Sequence, residues 1–137
     1  MKILFLCVAN SARSQMAEGI AHEKFGNDVG ILSAGSNPTI VNPLAVEVMQ
    51  EINIDISNYA SKSIDTIDLP SVDIIVMLCA EEICPVVLGN QQKYHWPLPD
   101  PSNQLLTRTE QIILFRKVRD ELIKRIHELK IILNSEQ

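Results

Sequence analysis

Aromatic side chains are scarce in this chain, with three Phe, two Tyr and one Trp among 137 residues and none between Phe25 and Tyr59. A site that held its ligand by ring stacking would have little to draw on. Positive charge is also short. Twelve Lys and Arg stand against seventeen Asp and Glu, the net charge is −5, and the basic residues form no block. That balance argues against a nucleic-acid or anionic-membrane partner. No apolar run approaches the length that crosses a bilayer. The stretch after Met1-Lys2 turns polar within about eight positions, too soon for a secretory leader. The chain is therefore expected in the cytoplasm, where its three cysteines make an unlikely disulfide framework. Zinc spacing is missing too: four residues separate Cys79 from Cys84, and no second pair exists. There is no repeat and no low-complexity segment, and the length suits one domain, residues 1–137.

What is present centres on Lys2 to Ser14, KILFLCVANSARS. Ile3 to Leu6 read as a short, fully buried strand. From about Ser14 the spacing turns helical, with Met16, Ala17, Ile20, Ala21 and Phe25 on one face. Cys7 thus stands at the carboxyl end of a strand, on a turn feeding a helix N-terminus, where unpaired N–H groups and the helix dipole favour an anion. Arg13 can curl round opposite the sulfur and grip two oxygens of a tetrahedral oxyanion with its fork. Ser14 can donate a hydrogen bond to the sulfur, and the positive field favours thiolate over thiol.

Further along, Gly26-Asn27 is a helix stop and Val29 to Ala34 a second strand. Asn42-Pro43 caps and starts a helix, and Asn53 to Ser71 is mostly loop. Asp73 to Leu78 is another buried strand with Cys79 at its end, and Lys93 to Trp96 a short fourth. Thr107 and Glu110 match a capping box opening a helix to about Leu133. The alternation predicts an α/β fold: a four-stranded parallel sheet with helices on both faces and ligands beyond the carboxyl strand ends. Cys7 and Cys79 both fall at that edge.

The segments CVANSARSQMAEG (7–19), SAG (33–35), NPLAVEVM (42–49), IDIS (54–57), LCAEEICPV (78–86) and HWPLPDP (95–101) carry a resemblance. The chain resembles the low-molecular-weight tyrosine phosphatase superfamily and, within it, the arsenate reductases that use a cysteine cascade. The resemblance implies Cys7 as nucleophile. It implies Val8, Ala9, Asn10, Ser11, Ala12 and Arg13 as the oxyanion cradle, Ser14 as the group holding the thiolate, and Asp100 as general acid. Cys79 and Cys84 would continue the redox relay. No bound cofactor is implied; the electrons would come from an external thiol reductant, thioredoxin or a glutathione and glutaredoxin system. The protein would act as a monomer on arsenate or a phosphate-like oxyanion.

Some relatives bind potassium near the loop through Asn, Glu, Ser and Asp. Asn10, Glu18 and Ser33 match, but Lys62 stands in place of the aspartate, so an ammonium could replace the ion and no metal is expected. The four residues between Cys79 and Cys84 make a short relay segment. Were that segment helical, the two cysteines would lie about 7.5 Å apart along the axis, so disulfide formation would force 80–83 to loop out. A phosphatase using Cys7, Arg13 and Asp100 unchanged is the alternative, and a non-catalytic oxyanion or redox sensor a third reading. His95 and Trp96 are read as structural, and Glu81 and Glu82 as solvated charges.

Overall fold

In the computed structural model the residues described are 1–80 and 87–135. Strands β1 (Lys2–Cys7), β2 (Gly30–Gly35), β3 (Ile74–Met77) and β4 (Gln92–His95) form one sheet in the order β2-β1-β3-β4. All three pairings are parallel. The helices are α1 (Arg13–Phe25), α2 (Pro43–Gln50) and α3 (Arg108–Ser135), with short 3₁₀ turns at Gly26–Asp28, Ile64–Thr66 and Leu69–Ser71.

The pleat explains why β1 reads as an unbroken apolar run. Ile3 and Phe5 join one buried cluster with the inner faces of α1, α2 and α3. Leu4 and Leu6 join a second with Val72, Ile75 and Val87. A central parallel strand is covered on both sides, so neither set of side chains can be polar. The two covers are unequal. Among the described residues, every α-helix packs on the Ile3 side, while the other face is sheltered by Ile64, Ile67 and Leu69 from the 3₁₀ turns.

The predicted helix signals act as expected. Asn42 Oδ1 accepts from Leu44 N at 2.8 Å, ahead of Pro43 at the first helical position. Thr107 Oγ1 accepts from Glu110 N at 3.1 Å, and Glu110 Oε1 returns the bond to Thr107 N at 3.0 Å. Gly26 takes φ 64, closing α1. Strand β4 begins one residue earlier than expected and ends at His95. Trp96 N still donates to Met77 O at 2.9 Å, and its ring packs 6.4 Å from that of Phe5. The loop expected over 53–71 contains the two 3₁₀ turns that cover the second face.

Helices α2 and α3 are joined at their surface by Glu51. Its carboxylate accepts from Arg116 Nη2 at 2.8 Å and from Arg119 Nη1 at 2.7 Å. The hydrogen bond from Arg116, then that from Arg119, hold the carboxyl at about 2, down from 4.5. A carboxyl depressed in the folded state stabilises it above its unfolded pKa, and that contribution is lost as pH falls through the folded value. Glu51→Gln should therefore melt at a lower temperature than wild type at neutral pH, with the gap closing between 4.5 and about 2. Thermal unfolding across that range checks this; a gap unchanged at the acid end would contradict the pairing.

Candidate active site

Cys7 is the last residue of β1, opposite Gly35 of β2, and only 2% exposed. One strand away, Leu78 N donates to Leu6 O at 2.9 Å, extending the ladder just past β3. Cys7 and Cys79 therefore leave neighbouring parallel strands at the same edge of the sheet, Cys7 level with Leu78 and Cys79 one residue further on. The loop between β1 and α1 turns its carbonyls outward. Val8 O accepts from Asn37 N at 2.9 Å, Ala9 O from Thr39 N at 3.0 Å and Ser11 O from Asn42 N at 2.9 Å. In a planar trans peptide the N–H points opposite the C=O, so the N–H groups of Ala9, Asn10 and Ala12 are aimed into the loop. With the N-terminus of α1 beginning at Arg13, this forms a nest for an anion. Gly35 makes the close approach possible, since a Cβ there would run into Val8 O and Asn10 N.

Ser14 Oγ lies 2.9 Å from Cys7 Sγ and accepts from Asn10 Nδ2 at 2.7 Å. Asn10 is fully buried at φ 48, a left-handed conformation that Asn tolerates better than most residues. Its carbonyl accepts from Ser61 Oγ at 2.7 Å and its Oδ1 from Lys62 N at 2.8 Å. Arg13 is 5% exposed and donates through Nη1 to Leu98 O at 2.9 Å and, more weakly, to Leu78 O at 3.4 Å. The guanidinium is thereby fixed between the end of β3 and the loop carrying Asp100. Asp100 is exposed, and its Oδ1 accepts from Ser102 N at 2.9 Å and Ser102 Oγ at 2.6 Å.

These side chains meet in a cleft of about 230 Å³, lined by Cys7, Ala9, Ser11, Ala12, Arg13 and Asp100 together with Thr39, Asn42, Ser102 and Gln104. No aromatic residue is among them. Of the residues expected from sequence, Val8 and Asn10 support the loop from behind rather than lining the cleft. Cys79 is buried, and its carbonyl accepts from His95 Nε2 at 2.7 Å, so His95 ties the backbone instead of facing the anion site. Among the described residues Cys7 is the free cysteine, whereas Cys79 is disulfide-bonded. Cys84, Glu81, Glu82 and the loop-out expected near 80–83 fall on or run into the segment 81–86, outside the described residues.

Sequence reasoning missed the cleft's second wall, Thr39, Asn42, Ser102 and Gln104. Their signal was positional: polar residues in the loops that follow strands at the carboxyl edge of the sheet. The Glu18 carboxylate accepts from Ser33 Oγ at 2.7 Å and has Lys62 Nζ at 3.6 Å. Lys62 thus brings its ammonium to the Glu18–Ser33 pair while its backbone N–H holds Asn10.

The sequence model for low molecular weight phosphotyrosine protein phosphatases matches residues 2–137. The chain belongs to this family. Within the low-molecular-weight phosphatase family it is 44% identical over 126 residues to an arsenate reductase of Halalkalibacterium halodurans, covering 90% of this chain and 91% of that one. A solved arsenate reductase in its phosphate binding state superposes with a TM-score of 0.80 at 32% identity, over 93% of this chain and 95% of that one. A thioredoxin-dependent arsenate reductase of Corynebacterium glutamicum gives a TM-score of 0.77 at 26% identity, over 99% of this chain and 63% of that one. The parallel sheet and the loop between β1 and α1 are thus set in the fold of this phosphatase family.

Proposed function

We propose that this protein reduces arsenate to arsenite. The observation that carries the reading is the exit of Cys7 and Cys79 from adjacent strands at one edge of the sheet, offset by a single residue, with a cradle for a tetrahedral oxyanion around the first. The Cys7 thiolate attacks As(V), and one arsenate oxygen leaves as water after taking a proton from Asp100. The Cys79 thiolate then attacks Cys7 Sγ. The electron pair of the S–As bond passes to arsenic, arsenite departs, and a Cys7–Cys79 disulfide remains. Cys84 attacks Cys79 and frees Cys7. An external dithiol reduces the resulting Cys79–Cys84 bond by the same exchange.

Arg13 holds two of the oxygens, the loop N–H groups take developing negative charge, and Ser14 Oγ donates to the Cys7 sulfur. The ringless cleft suits a small inorganic oxyanion better than an aryl ester. The name of the Corynebacterium glutamicum relative supports thioredoxin as the dithiol. The enzyme works as a cytoplasmic monomer without a bound cofactor or metal. Hydrolysis of phosphate esters is a side activity, because Cys7, Arg13 and Asp100 are sufficient for a phosphoenzyme.

The test is arsenite formation with thioredoxin and with glutathione plus glutaredoxin, supplied separately. The expected result is continuous arsenite production with thioredoxin. Phosphate-ester hydrolysis with no arsenite from either system would leave the phosphatase reading instead.

A further inference from the structure

Gln15, the second residue after Arg13, is fully buried and does not line the cleft. Its Nε2 faces three acceptors: Asn10 Oδ1 at 2.9 Å, Asn10 O at 3.0 Å and Ala60 O at 3.0 Å. Turning the amide over would set Oε1 against three oxygens, so its orientation is forced. The cost of that orientation is visible on its other side. Gln15 Oε1 is buried with no hydrogen-bond partner among the described residues, and an orphaned buried acceptor costs about 1–3 kcal/mol. Such a group calls for an explanation.

The explanation lies in what the donor side fixes. Asn10 Oδ1 receives both Gln15 Nε2 and Lys62 N. With its oxygen end committed to two donors, the Asn10 amide has to present Nδ2 to Ser14 Oγ. Ser14 Oγ, accepting there, has its own proton left for Cys7 Sγ at 2.9 Å. Four side chains in series thus set one proton's direction.

We propose that Gln15 is a positioning residue for the nucleophile: it locks Asn10, and through Asn10 turns the Ser14 hydroxyl proton onto the Cys7 sulfur. The proposal rests on the reading of Cys7 as the reactive thiolate. Without Gln15, Asn10 Oδ1 keeps only the Lys62 N–H, so one donor instead of two holds the amide and the Ser14 proton is directed less firmly at the sulfur.

Gln15→Met keeps the length and the burial and removes the donor. The rate of Cys7 alkylation by iodoacetamide, followed from acid to alkaline pH with the alkylated cysteine identified by mass, reads thiolate formation without arsenate turnover. The rate at mildly acid pH should fall about tenfold, equivalent to one pH unit in the profile, while the alkaline plateau stays unchanged. A folded variant with the wild-type profile overturns the proposal. A loss of equal size at every pH does so too, because it would report access rather than ionisation. If the wild-type profile is that of an ordinary thiol, the reading of Cys7 itself has failed, which is a separate result.

A measurement on unaltered protein covers the case in which the variant does not fold. Both side-chain amide protons of Gln15 should exchange slowly, and their NMR resonances should move as Cys7 titrates. Exchange as fast as that of a surface glutamine, or resonances unmoved through the titration, overturns the proposal.

Discussion

Cys7→Ser is expected to abolish arsenate reduction and phosphate-ester hydrolysis together, each by at least about 10³-fold. In the proposed mechanism both reactions begin with the same sulfur anion, and the loop cannot ionise a serine hydroxyl near neutral pH. The replacement is small. The site stays packed, the new hydroxyl can bond Ser14 Oγ where the sulfur did, and the fold should hold. The outward carbonyls of Val8, Ala9 and Ser11 and the anchored Arg13 do not depend on the sulfur. Phosphate should therefore still bind, and binding by calorimetry beside the two activity assays separates an emptied mechanism from a collapsed site. Either activity persisting above a few per cent of wild type would remove Cys7 from the chemistry.

The second large effect divides the two activities. Cys79→Ser should stop multiple-turnover arsenate reduction with thioredoxin while leaving aryl-phosphate hydrolysis largely intact. Hydrolysis draws on the cleft, which Cys79 does not line. Release of arsenite needs a second thiol to take the bond from Cys7, and a hydroxyl cannot form a disulfide. The anchor from His95 reaches the Cys79 carbonyl, not its side chain, so the local backbone should survive. Arsenate turnover at the wild-type rate in this variant would end the relay assignment. Equal loss of both activities would show the substitution to be structural.

The stretch from Lys2 to Ser14 was legible because three signals coincide there: an apolar run, a change to helical spacing, and Cys7, Arg13 and Ser14 between them. The two helix starts were legible because Asn42 and Thr107–Glu110 act within one turn of chain. The side of the sheet taken by each helix was not, because a strand buried on both faces shows no alternation to orient it. Strand β4, reading QKYH, is an edge with mostly exposed side chains, so its limits carried little pattern. The support behind the cradle was the least legible part. Asn37, Thr39 and Asn42 reach the loop through backbone N–H groups, and any residue but proline carries one of those. Gln15 and Lys62 hold Asn10 through a contact between separate segments, 60–62 and the start of α1, which no local pattern announces.

The near-complete burial of Cys7 has a consequence for traffic in a crowded cell. At 2% exposure Cys7 is as sheltered as a core leucine, and it is reached through a cleft of about 230 Å³. A cleft of that volume has room for an ion of four oxygens but little for a folded loop of another protein. On the proposed mechanism the burial acts as a sieve, favouring a small oxyanion over the macromolecular disulfides that would quench a reactive thiolate. On the same reading a protein reductant would not repair Cys7 in place, and oxidising equivalents would be carried outward to where a bulky donor can meet them.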